Sequence, residues 1–221
     1  MDHTLSFLHT SPVHIQTFRT LLDELAPDIP ARHVVDESLL AEACEAGNVT
    51  PALRQRVEET ALAMADLGAM VVLCTCSTIG AVVEELNGQM PAVMLRIDRP
   101  MAEDAVARGS RIIVAATLPT TLIPVRELIY SVAHKSRKEV QVIDLLCEEA
   151  WRHFERGDQV AYLQEIASQL QRAAALGDVI VLAQASMARA SEFYADLPVP
   201  VLTSPRSGLR AAIGAYRSVM C

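Results

Sequence analysis

The chain has 221 residues, with 19 basic against 27 acidic side chains and a net charge of −8 when its six histidines are neutral. Apolar residues make up 51% and charged residues 21%, which is the composition of a globular protein and not of a disordered one. The acidic balance supplies no basic stripe for a nucleic-acid backbone, no apolar run reaches the roughly 18 residues that span a bilayer, and the opening MDHTLSFLHTSP lacks the basic start of a secretory signal. The expectation is therefore a cytoplasmic chain of one large or two small domains, with neither nucleic acid nor membrane as partner.

In chain order, short runs rich in Val, Ile and Leu predict strands at 5–8, 32–35, 70–73, 92–97, 111–115, 140–143, 179–183 and 199–202. Consecutive aliphatic positions, instead of alternation, are what parallel strands buried on both faces require. Amphipathic stretches lie between them. Thr50-Pro51 reads as an N-cap followed by proline in the first turn, after which Leu53, Val57, Ala61 and Met64 recur at helical spacing and Gly68 ends the helix in a left-handed turn. From Asp158 the same pattern returns, with Tyr162, Ile166, Leu170 and Ala173 on one face and Gly177 at the end. Alternating strand and helix predicts a parallel α/β fold.

An internal match supports two similar halves. GAMVVLCTCS from Gly68 aligns with GDVIVLAQAS from Gly177 without a gap, at a constant separation of 109 residues.

Ligands of open parallel sheets bind beyond the carboxyl ends of the strands. That rule selects the loops around His9-Thr10-Ser11-Pro12, Cys74-Thr75-Cys76-Ser77-Thr78, Asp98-Arg99-Pro100, Thr117-Leu118-Pro119-Thr120-Thr121, Gln184-Ala185-Ser186 and Thr203-Ser204-Pro205-Arg206. They are rich in small hydroxyls suited to a carboxylate or phosphate, although many such residues serve only as helix caps. Cys76 falls where a strand passes into a helix, and the free amides and positive end of that helix favour its thiolate, a base or a nucleophile. Cys74 reads as a small buried apolar residue. Five scattered cysteines suggest reduced thiols, and the six histidines offer no second pair of ligands at zinc spacing, so no metal is expected. Glycine-rich dinucleotide loops, a phosphate-binding P-loop and a GxSxG elbow are all missing from the sequence.

Four of these segments, in order, resemble the aspartate/glutamate racemase superfamily, which includes hydantoin racemases, maleate isomerases and arylmalonate decarboxylases. VVLCTCST is similar to its first Cys-Asn-Thr loop, VAATLPTT to its central Ala-Thr-x-x-Thr strand end, VIVLAQASMA to its second Gly-Cys-Thr loop, and VPVLTSPRSG to its closing strand and turn. The resemblance implies two Rossmann-like lobes with parallel sheets, related by a pseudo-twofold, with the active site in the cleft between them. The first lobe would hold 1–97 plus 205–221 and the second 98–204. It further implies a homodimer, no cofactor, a small carboxylate substrate and Cys76 as the first of two catalytic thiols.

No cysteine fills the second position. By the internal repeat Ala185 stands opposite Cys76; by similarity to the hydantoin racemase pattern, Gln184 does. Neither exchanges a proton near neutral pH, so ordinary two-base racemisation is not expected. Two readings follow. One is an isomerase or decarboxylase using Cys76 alone, for proton transfer or for addition to the substrate. The other is a carboxylate-binding or regulatory protein that has lost catalysis. In either, Ser11, Ser77, Thr78, Thr117, Thr120, Gln184 and Ser186 would cradle the ligand, His9 could supply a second acid or base, and Arg99 or Arg206 could meet a second carboxylate.

Overall fold

The computed structural model describes residues 3–220, so Cys221 lies outside the described residues. The chain divides into two compact units, residues 1–97 with 205–221 and residues 98–204.

The first unit contains β1 (Thr4–His9), α1 (Val13–Leu25), β2 (Ala31–Val35), α2 (Glu37–Ala46), α3 (Pro51–Asp66), β3 (Ala69–Cys74), α4 (Ser77–Glu85) and β4 (Val93–Arg96). The second contains α5 (Arg99–Arg108), β5 (Arg111–Ala116), α6 (Pro119–Lys135), β6 (Gln141–Leu146), α7 (Glu148–Glu155), α8 (Gln159–Ala173), β7 (Val179–Leu182), a 3-10 helix (Ala185–Phe193) and β8 (Val201–Thr203). The final helix α9 (Ser204–Met220) runs back into the first unit. Each unit has one four-stranded, all-parallel sheet, ordered β2-β1-β3-β4 and β6-β5-β7-β8. The expected α/β class and all eight strand locations are observed. The main difference is β6, which runs to Leu146, three residues beyond the expected end. It is an edge strand, and polar residues such as the exposed Asp144 interrupt the aliphatic run that marks the buried strands.

The helix boundaries follow the local chemistry. Thr50 Oγ1 accepts the Leu53 amide at 3.2 Å and Asp158 Oδ1 accepts that of Ala161 at 3.0 Å, so both long helices are capped by side chains. The predicted stripes Leu53, Val57, Ala61, Met64 and Tyr162, Ile166, Leu170, Ala173 are all buried against their own sheets. Burying each large apolar side chain contributes roughly 1.5–3 kcal/mol. The two terminal glycines differ. Gly68 adopts φ +95°, a left-handed conformation that favours glycine, whereas Gly177 is extended. Gly177 is instead required by close approach: a Cβ there would lie 2.7 Å from Ile113 Cγ1 and 2.9 Å from Arg111 O.

The sheet register corrects the internal alignment. Thr4 pairs with Ala69 but Leu5 pairs with Val71, so Met70 is an extra residue in β3, while β5 and β7 pair without interruption from Ile112–Val179 to Ala115–Leu182. At the sheet ends, Leu8 O accepts the Thr75 amide and Ala115 O accepts that of Ala183. Thr75 therefore corresponds to Ala183, and Cys76 to Gln184. The ungapped match, one residue out of step after the bulge, had paired Cys76 with Ala185.

Helix α9 closes the first unit by laying Leu209, Ala212, Ile213 and Tyr216 on the core with Phe7, Phe18 and Ile97. A Cβ at Gly208 would lie 2.3 Å from Ile97 O, but at Gly214 of the same helix it would meet nothing within 4 Å. Gly208→Ala is expected to cost about 1–3 kcal/mol through overpacking, and Gly214→Ala to gain up to about 1 kcal/mol through helix propensity. Thermal or urea unfolding of the two variants checks this; equal effects would contradict the packing described.

Candidate functional site

In each unit the two central strands lie side by side and parallel, so the loops leaving their carboxyl ends are neighbours. In the first unit these loops follow β1 and β3 and carry Thr10, Ser11, Thr75, Cys76, Ser77 and Thr78. Cys76 is the extended residue that precedes α4, at φ −105° and ψ 114°. It is half-buried, while Thr10, Thr75, Ser77 and Thr78 are 5% exposed or less. The Cys74 thiol donates to Cys76 O at 3.4 Å and tethers the loop to the end of its strand.

Burial pushes the Cys76 thiol above its ordinary pKa. Hydrogen bonds from the Thr10 and Thr78 hydroxyls work in the opposite direction, as do the amides of Ile79 and Thr78, although neither amide closes into a full capping bond. The expectation of a resting thiolate is therefore corrected: desolvation outweighs the helix end, and the resting group is a neutral thiol surrounded by donors ready to receive negative charge. Sequence reasoning selected Ser11 from the first loop and passed over Thr10. The signal was present as Thr10-Ser11-Pro12, which the second half repeats as Thr117-Leu118-Pro119. Ser11 is half-buried at the start of α1.

His9 does not fit the expectation of an acid or base facing substrate. It is fully buried, with Nδ1 2.8 Å from Thr75 Oγ1 and Nε2 2.9 Å from His33 Nδ1. Its ring stacks with those of Phe7 and His33, and Phe18 and His14 lie against it at centroid distances of 5.6 and 6.2 Å. Both ring nitrogens are engaged, so His9 supports the loop from beneath.

In the second unit the corresponding loops follow β5 and β7. Thr117 donates its amide (2.6 Å) and its hydroxyl (2.9 Å) to Gln184 Oε1. Gln184, like Cys76, is an extended residue preceding a helix, here the 3-10 helix. Thr10 and Thr117 thus play the same part, each binding the residue that follows the third strand of its unit. Since both Thr117 donors are committed to Gln184, Thr117 reaches a ligand only through that carboxamide, a correction to its expected place in the cradle. Ser186 Oγ lies 2.7 Å from the Tyr162 hydroxyl. Tyr162 is fully buried and was read from the sequence only as a packing residue. Thr120 is buried in the first turn of α6.

Arg206 forms a two-pronged ion pair with Glu24 at 2.8 and 2.7 Å on the surface of the first unit, and Arg99 opens α5, half-buried. The four described cysteines are not joined in disulfides; Cys44 is exposed, and Cys147 is buried with its pKa pushed up to about 12, chiefly by desolvation. Among the described residues no three His, Cys, Asp or Glu side chains gather as metal ligands would, and no helix is long and apolar enough to cross a membrane.

Two α/β units with parallel sheets of the same strand order, one presenting a thiol at a strand-to-helix junction, define the class. The chain matches the Asp/Glu/hydantoin racemase family over residues 13–212 and belongs to it. In fold it is similar to a glutamate racemase from Francisella tularensis subsp. tularensis (TM-score 0.70, 14% identity, 98% of this chain and 82% of that one). It is also similar to a putative Asp/Glu racemase from Yersinia pestis (0.68, 14%, 99% and 100%) and to an allantoin racemase from Klebsiella pneumoniae (0.64, 18%, 98% and 88%). No curated protein matches it in sequence.

The histidine cluster gives the fold a defined acid sensitivity. Burial, with smaller contributions from His14 and His33, lowers the pKa of His9 to about 3; burial alone lowers that of His14 to about 4, and burial and then Arg19 lower that of His33. Depressed folded-state values mean that the unfolded chain binds more protons below its own pKa of 6.5. Stability is thus unaffected above that pH and falls as pH drops toward 4 and then 3, by about 1.4 kcal/mol per pH unit for each of His9 and His14 until its own folded-state value is reached. Urea unfolding at pH 7 and pH 5 is expected to show this loss, and a His9→Gln, His14→Gln double variant to show much less of it. A wild-type stability that is flat over that range would contradict the assignment.

Proposed function

We propose that the protein is a cofactor-independent enzyme of the isomerase or decarboxylase type, in which the Cys76 thiol transfers one proton to or from the α-carbon of a small carboxylate substrate. The observation that carries the reading is the environment of the Cys76 sulfur: a half-buried neutral thiol with the hydroxyls of Thr10 and Thr78 and two helix-start amides directed at it. Such a group is an acid in its resting state. When an enolate-like carbanion forms on the substrate by loss of carbon dioxide, the S–H bond breaks and a C–H bond forms. The sulfur keeps the electron pair as a thiolate held by those donors and regains a proton from water. Removal of an α-proton is the reverse step, in which a Cys76 thiolate takes the proton as the C–H bond breaks and an S–H bond forms.

In the first unit Ser11, Ser77 and Thr78, in the loops that carry the thiol, are the proposed ligand-holding groups; in the second unit Thr120, Ser186 and the Gln184 carboxamide are the corresponding candidates. Gln184, the register equivalent of Cys76, offers hydrogen-bond donors but no acid, so the proposed transfer uses Cys76 alone and one face of the α-carbon. Family membership and the register equivalence of Cys76 with Gln184 support this one-sided reading.

The test is α-deuterium incorporation, followed by NMR, into α-amino, α-hydroxy, ureido and aryl-substituted acids incubated with the protein in D2O. At least one class is expected to be labelled without racemisation or to be decarboxylated with one label, and Cys76→Ala is expected to reduce the rate by at least about 100-fold. Wild-type labelling by Cys76→Ala, or equal labelling of both enantiomers, would overturn the proposal.

A further inference from the structure

We infer that Tyr162 is a positioning residue that fixes the Gln184 carboxamide with its NH2 group toward the ligand; the inference rests on Gln184 as a ligand-holding residue. A backbone amide can only donate, so the Gln184 atom 2.6 Å from the Thr117 amide is its carbonyl oxygen, and the orientation of the carboxamide follows. The Thr117 hydroxyl occupies the same oxygen at 2.9 Å, which leaves the NH2 group as the end that a ligand meets. Ligands that place a carboxylate or carbonyl oxygen there are therefore favoured over those that place a donor.

The hydroxyls on either side of Gln184 belong to Thr117 and Ser186; the Tyr162 hydroxyl is hydrogen-bonded to that of Ser186 at 2.7 Å and lies within electrostatic reach of that of Thr117. Packing alone does not explain this phenol. Tyr162 precedes Gly177 by as many residues as Leu53 precedes Gly68, and Leu53, on the corresponding helix α3, fills its place as a fully buried hydrocarbon. A buried phenol is costly unless its hydroxyl is bonded. The hydroxyl occurs in the unit whose junction residue is a carboxamide, the one group of the two that has a wrong way round. A thiol sulfur accepts from any direction and needs no such anchor.

The experiment follows the Gln184 side-chain amide by 15N–1H NMR, assigned through its loss in Gln184→Leu, in the wild type and in Tyr162→Phe and Tyr162→Leu. Ile166→Val, on the same buried face of α8, is the packing control. Exchange of the Gln184 amide protons with water is expected to accelerate at least about tenfold in both Tyr162 variants and to stay within about twofold of wild type in the control. Unchanged exchange in Tyr162→Phe, or equal acceleration in Ile166→Val, would overturn the inference. If an acid is labelled by the wild type, Tyr162→Phe is expected to raise its KM about tenfold with kcat held within about twofold; a fall in kcat alone would also overturn it. If no acid is labelled, the proposed activity fails, while the amide measurement still decides the role of Tyr162.

Discussion

Each unit depends on the same interaction: the hydroxyl of a threonine just past its first strand bonds the side chain of the residue just past its third. Thr10 meets Cys76, and Thr117 meets Gln184. Parallel pairing of adjacent strands brings the two loops together, and the side-chain bond then sets what each loop presents. Such a bond contributes on the order of 1 kcal/mol, too little to hold the fold but enough to select one rotamer and one amide orientation. The buried groups beneath (the Cys74 thiol on Cys76 O, His9 on Thr75) leave the first loop few alternatives.

Repetition of the interaction with different partners separates the chemistry of the two units. A thiol can give and take a proton; a carboxamide can only orient and stabilise. Their occurrence at register-equivalent positions is the observation on which the proposed one-sided proton transfer rests. Membership of the Asp/Glu/hydantoin racemase family supplies the general setting, and the identity of these two side chains is what makes this chain particular.

Much of the architecture was legible because burial on both faces writes itself as aliphatic runs. The centres of all eight strands, the caps at Thr50 and Asp158, and the junction position of Cys76 follow from such local signals. What escaped was set by tertiary contacts. The extra residue at Met70 leaves no mark in the apolar pattern, yet it shifts the frame of the internal repeat and changes the counterpart of Cys76 from Ala185 to Gln184. Thr10 was recoverable only by comparing the two Thr-x-Pro turns. Tyr162 fits a helical apolar stripe so well that its hydroxyl drew no notice. For His9 and for the charge on Cys76, position at a strand end suggested reactivity, whereas desolvation, a property of the packed fold, decided otherwise.

The central claim is that Cys76 rests as a protonated thiol, and the most direct measurement is its ionisation, read as thiolate absorbance near 240 nm in a pH titration of the wild type minus Cys76→Ala. The account predicts no Cys76 thiolate at pH 7 and an ionisation above the ordinary thiol value of about 8.5. A full thiolate signal from Cys76 at pH 7 would contradict it.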